Sequence, residues 1–156
     1  MINTIILTGL LSLAVWLSIK ISIADFRRRI IPDAYLFPLM LIGLTCTTFF
    51  HIPTNIESGI FGAIFGYIIS CVIGYTYEYM AQRRGAKYDT PIGMGDIKLI
   101  SIGGLWLGTT GLSIALIISC IIGTLWGHKN RQRFIPFAPF FLIGGFLAFL
   151  GKFFLL

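Results

Sequence analysis

The sequence predicts an all-α protein, a polytopic membrane bundle of about six transmembrane helices. Three observations carry this. The chain of 156 residues is 56% hydrophobic and only 12% charged, whereas soluble domains are about one quarter charged, and its mean hydropathy is +0.89. Apolar runs long enough to cross a bilayer, about 20 residues each, follow one another along the whole chain. The polar breaks between them alternate between strongly basic and uncharged or acidic. A single membrane-embedded domain over residues 1–156 is expected, with no soluble domain and no linker.

The first run, Asn3–Ala24, has no basic residue ahead of it and the arginines Arg27, Arg28 and Arg29 behind it. That order suits an uncleaved span rather than a secretory signal. Lys20, inside the run, is expected to reach toward headgroups along its own methylenes. The second run, Ala34–Phe50, follows Pro32 and Asp33, which puts Asp33 at the position of a helix N-cap. The third, Ile56–Met80, carries Gly62 and Gly66 at GxxxG spacing and ends among Tyr75, Tyr77 and Tyr79, an interfacial belt that includes Glu78. The fourth, Gly95–Leu107, is short. The stretch "GGLWLGTTG" must contain its turn, because one unbroken span would need about 30 residues and pass two glycine-rich breaks. Gly111–Trp126 and Phe134–Leu155 complete the set. Gly104 and Gly108 form a second GxxxG; packing inside the bundle is expected of both, with a homo-oligomer interface as the alternative.

Charge sets the orientation. "FRRRIIPD", "AQRRGAKYDT" and "GHKNRQR" hold nine of the twelve lysines and arginines, while "HIPTNIE" and "GTTG" hold none. The basic loops are therefore assigned to the cytoplasm. The same distribution disposes of nucleic-acid binding, since the net charge of +6 lies in short inter-helix loops. Cys46, Cys71 and Cys120 are scattered through apolar runs without a CxxC pair, and His51 and His128 fall on opposite sides. No metal site or cofactor is expected.

Only six residues are acidic. Glu57 and Asp89 belong to solvated loops, Asp33 and Glu78 have the roles just given, and Asp25 and Asp96 remain. Both lie near the cytoplasmic ends of spans, at one depth, although far apart in sequence. Ionisable groups at membrane depth are costly and mark function. Two carboxyls meeting there share a proton, the arrangement by which an aspartic protease activates water with one carboxylate and polarises the scissile carbonyl with the other. Two interfacial aspartates, each with its own arginine, account for the residues equally well at this point.

Three motifs in order resemble the prepilin peptidases, the type IV prepilin leader peptidase family of GxGD membrane aspartic proteases. "IADFRRRIIPD" is similar to the family's first aspartate motif, "GMGDIKLI" to its GxGD motif, and "IPFAPFFLIGG" to the proline-rich entry of the last helix, with Ala138 where glycine is common. The resemblance implies catalytic roles for Asp25 and Asp96. It implies a substrate with a basic leader ahead of an apolar helix, a type IV prepilin or pseudopilin, cut at the cytoplasmic face of the bacterial inner membrane. The N-terminal segment with paired CxxC motifs, linked in many members to N-methylation, is not in this sequence, so a peptidase-only short form is expected.

Beside the resemblance, Gly93 and Gly95 are expected to permit a sharp turn and close approach of another chain, and to act as a hinge that brings Asp25 and Asp96 together on substrate binding. Lys98 either reaches to headgroups or orients the substrate or a neighbouring carboxylate. Two other classes compete: a small proton-coupled carrier, whose acids would lie near the midplane, and a non-catalytic membrane subunit of pilus assembly.

Overall fold

The structure, a computed structural model, describes residues 2–83, 92–131 and 135–155. Arg84, Lys87, Asp89, Pro91, Arg133 and Phe134 lie outside that range. All the regular structure described is helical: α1 (Ile2–Arg28), α2 (Asp33–Thr45) widening into a π-turn over Cys46–Phe50, α3 (Ile56–Arg83), α4 (Met94–Asn130) and α5 (Phe137–Leu155). Four of these, with α2 taken through Phe50, are long and apolar enough to cross a membrane, and Phe137–Gly151 is a shorter apolar helix.

The helices are apolar on all sides, as expected of elements surrounded by lipid. Trp16, Phe61, Ile117 and Leu125 are exposed on the outside, while the contacts between helices use small residues. On α3 the buried positions are Gly59, Gly62, Gly66 and Ser70. In lipid, apolar burial does not draw helices together, and close backbone packing takes its place. The two GxxxG pairs meet each other. A Cβ on Gly62 would overlap the Gly104 carbonyl, and one on Gly104 would overlap Gly62 in return. Both motifs are therefore used within the bundle. Most hydroxyls in the spans bond to their own helices, Thr47 to the Gly43 carbonyl at 2.9 Å and Thr124 to that of Cys120 at 2.7 Å, because no water is available to them there; Ser101 of α4 instead donates across to the Ala63 carbonyl of α3 at 3.0 Å.

α4 reverses direction. Its 37 residues would extend about 55 Å if straight, far beyond a hydrocarbon core of about 30 Å. Gly108, at φ 69° and ψ 179°, breaks it into arms of residues 94–107 and 109–130. The reversal is seen in what Gly66 touches: a Cβ there would lie 2.9 Å from both the Ile100 carbonyl and the Leu112 side chain. In one straight helix those residues would stand about 18 Å apart. The turn expected within "GGLWLGTTG" is thus present, and among the described residues the bundle has six helical arms. Its backbone conformation is open only to glycine, and Ser58 Oγ fills the space beside it, 2.6 Å from where a Cβ would stand.

The remaining helices lock onto this hairpin. The ring of Phe141 from α5 lies over Gly103 of the first arm, and Gly144 of α5 lies against Ala115 of the second. α2 meets the first arm where Gly43 leaves room for the Trp106 indole, whose N–H donates to the Leu39 carbonyl at 3.2 Å. Asp33 is not the N-cap of α2. Pro32 holds that position without a side-chain bond, and Asp33 is the first helical residue.

Two outcomes are expected. Gly108→Ala should cost about 1–3 kcal/mol, the range for forcing a side chain into such a conformation, read as thermal unfolding in detergent. Topology reporters at Asn55 and Thr110 should give one side of the membrane and a reporter at Arg131 the other. Agreement between Thr110 and Arg131 would mean that α4 does not fold back.

Candidate active site

The reversal of α4 helps to gather six helix ends at one end of the bundle: the C-termini of α1 and α3, the N-terminus of α2, both ends of α4 and the N-terminus of α5. Phe26, Trp126 and Phe140 bind three of them in a row, with ring centroids 6.0 Å and 5.5 Å apart. No local pattern in the sequence singles these aromatics out.

Asp25 is buried at 5% exposure, one turn before α1 ends. Arg29 terminates that helix in the left-handed conformation, φ 56°, with its N–H on the Asp25 carbonyl at 2.9 Å. The Asp25 side chain points to α5, and its Oδ2 accepts the Ala138 N–H at 2.8 Å. The Phe137 N–H and the Arg29 charge also bear on it. The first N–H groups of a helix have no intrahelical partner, so α5 is in effect capped by a carboxylate from another helix. Ala138 is fully buried, and a methyl in place of the more usual glycine leaves this donor intact.

Asp96 is the third residue of α4, and its Oδ2 accepts the N–H of the N-cap residue, Gly93, at 3.1 Å. This is the backward half of a capping box and explains the three-residue spacing in "GMGD". Gly93 is extended, φ −71° and ψ 151°, a conformation any residue adopts, so the sharp turn expected there is not made. Close approach is made at Gly95, where a Cβ would stand 2.8 Å from Cβ of Ile31. Asp25 and Asp96 lie within electrostatic reach of each other. Among the described residues no hydrogen bond joins them.

Depth follows from helix register. Gly62 lies against Gly104 and Gly66 against Ile100, so the antiparallel pairing continues to put Asp96 level with Ser70. The tyrosines at 75, 77 and 79 then stand about 8–13 Å further along α3. Asp96 therefore lies inward of those tyrosines along the bundle axis.

Lys98 does not extend to headgroups. Its ammonium donates to both oxygens of Asp33, at 2.8 Å and 2.7 Å. The alternative expectation, a neighbouring carboxylate, describes its position, and that carboxylate is the one that was assigned to capping. Glu78 is exposed among its tyrosines, and Arg83 lies over the Tyr79 ring at 4.7 Å.

A membrane helix bundle with two aspartates brought to one end from separate helices is an arrangement suited to acid–base chemistry on a membrane-borne chain. Residues 11–128 match the type IV leader peptidase family, Peptidase_A24, and the chain belongs to that family. It is similar to proteins named prepilin leader peptidase/N-methyltransferase. The one from Pseudomonas aeruginosa is 26% identical over 149 residues, 91% of this chain and 49% of the relative. The one from Dichelobacter nodosus is 29% identical over 138 residues, 86% of this chain and 46% of the relative. The chain thus spans about half the length of the curated relatives it matches. No solved structure matches it.

The two motif glycines should differ when substituted. Gly95→Ala is expected to destabilise by about 1–3 kcal/mol through overpacking, and Ile31→Gly, which removes the opposing Cβ, should recover part of the loss. Gly93→Ala meets only the Asp96 carboxylate, at 3.3 Å, and should cost less. Equal losses at 93 and 95 in detergent melts would contradict this packing account.

Proposed function

We propose that this chain is an aspartic endopeptidase that removes the leader of type IV prepilins or pseudopilins at the cytoplasmic face of the bacterial inner membrane. The observation that carries the proposal is the convergence of Asp25 and Asp96, from the ends of α1 and α4, within electrostatic reach of each other. One ionised carboxylate takes a proton from water as its oxygen attacks the scissile carbonyl. The other, protonated, donates to the carbonyl oxygen, and the tetrahedral intermediate then expels the amine, which leaves with a proton. Each acid is fixed through one oxygen by a backbone N–H. Asp96 keeps Oδ1 clear of protein donors among the described residues.

The substrate fits the setting. A leader joined to an apolar helix can lay that helix along the lipid-facing bundle and present its junction at the bundle end. The family names of the relatives support the choice of substrate. The carrier reading is less well supported, since both acids belong to one end of the bundle rather than to a path through it.

The test is co-expression with a candidate prepilin in membranes. Asp25→Asn and Asp96→Asn should each abolish the gel shift of leader removal while both proteins remain inserted, because an amide cannot exchange the proton. Full processing by either variant would remove the mechanism.

A further inference from the structure

Asp25 and Asp96 stand on helices that do not pack chiefly on each other. α1 packs on α2 and α5, whereas α4 packs on α3, α5 and α2. The spacing of the acids is therefore transmitted through intermediates. One is α5, through Ala138. A second is the connection between α1 and α2, beside the direct contact of Phe26 with Trp126 on the other arm of α4.

That connection is short and stiff. α1 ends at Arg28 and α2 begins at Asp33. Between them Arg29 is fixed in a left-handed cap, φ 56°, and Pro32 is held by its ring at φ −72°. It grips the N-terminus of α4 at two points. Ile31 fills the space left by Gly95, and Asp33 binds the Lys98 ammonium with both oxygens. Electrostatics give the ion pair a direction. Asp33, in the first turn of α2, is favoured by that helix dipole. Lys98, near the N-terminus of α4, is opposed by its own. Both side chains remain partly exposed, 42% for Lys98 and 49% for Asp33, so what the pair adds is geometry, two short bonds to one ammonium, more than stability.

We propose that Lys98 and Asp33, with Ile31 seated on Gly95, form a clamp that fastens the end of the Asp25 helix to the start of the Asp96 helix and so sets the separation of the two acids. Neither Lys98 nor Asp33 touches the substrate; both are positioning residues. The proposal rests on the peptidase reading for its kinetic consequence, but its geometric consequence is independent of any activity.

Both consequences can be measured. In proteoliposomes, with a synthetic peptide of basic leader, glycine and an apolar segment of about 20 residues, Lys98→Met and Asp33→Asn should each lower kcat about tenfold or more with KM little changed. The double variant should be no worse than about twofold below the poorer single, since the two act through one contact. Lys98→Arg should keep most of the activity. Single variants with wild-type kcat, losses that multiply in the double variant, or a loss confined to KM would each overturn the clamp.

If the wild-type protein cleaves no prepilin, the peptidase reading fails and the geometric measurement decides the clamp. Asp25→Cys and Asp96→Cys are combined with Cys46→Ser, Cys71→Ser and Cys120→Ser. The rate of cross-linking by a short bifunctional thiol reagent is compared with and without Lys98→Met. The clamp requires the rate to change at least about threefold, a difference in geometry rather than in overall folding. An unchanged rate overturns it.

Discussion

The thickness of the bilayer core governs this structure through Gly108. A helix of 37 residues cannot stand across about 30 Å of hydrocarbon, so α4 has to fold back. It does so at one residue whose backbone no side chain tolerates well. Because the second arm returns beside the first, Trp126 comes back to the end of the bundle where Phe26 and Phe140 await it. α5 then starts next to α1 and not on the far side. The Asp25–Ala138 hydrogen bond, and with it the pairing of the two acids, depends on that return.

Both acids are held by backbone amides at helix N-termini, but from different sources. Asp96 uses the amide at the start of its own helix, Gly93, and is thereby oriented by local geometry. Asp25 uses the start of α5, more than a hundred positions away in the chain, so its orientation exists only once the bundle has closed. An amide that would otherwise lack a partner is satisfied in each case, which matters more in lipid than in water. The acids therefore contribute to the fold as well as to the proposed chemistry. A substitution at Asp25 leaves the N-terminus of α5 without its cap, and this should be separated from loss of a proton-transfer group by comparing Asn with Ala at that position.

Much of this was legible in the sequence because it is written in short-range patterns. The alternation of basic and non-basic loops shows the back-and-forth crossing. The glycines in "GGLWLGTTG" mark the place of the reversal, and Asp25 and Asp96 stand out as acids at span ends with motifs around them. What was not legible depends on partners distant in sequence. Nothing near Lys98 points to Asp33, 65 positions earlier. Asp33 beside a proline looks like a cap until the helix is seen to start one residue sooner. Gly95 reads as flexibility when its use is room for Ile31. A stronger reading of "GMGD" was available, since glycine followed three residues later by an acid is the spacing of an N-cap and its reciprocal partner.

Depth gives the two ends of the first α4 arm different tasks. The arm of residues 94–107 is only about 21 Å long, shorter than the hydrocarbon core, and its C-terminal end is fixed by the packing of Gly108 against Ser58. The whole shortfall is therefore taken at the other end, where Asp96 lies inward of the tyrosines of α3. A carboxylate there is half-buried, close to a helix end that supplies an amide, and within electrostatic reach of the acid buried on α1. A substrate whose scissile bond directly precedes an apolar helix brings that bond to a comparable depth, because the helix begins where the hydrocarbon does. On the proposed function, the short arm, which first looks like a span too small for the membrane, is what would match the acids to such a bond.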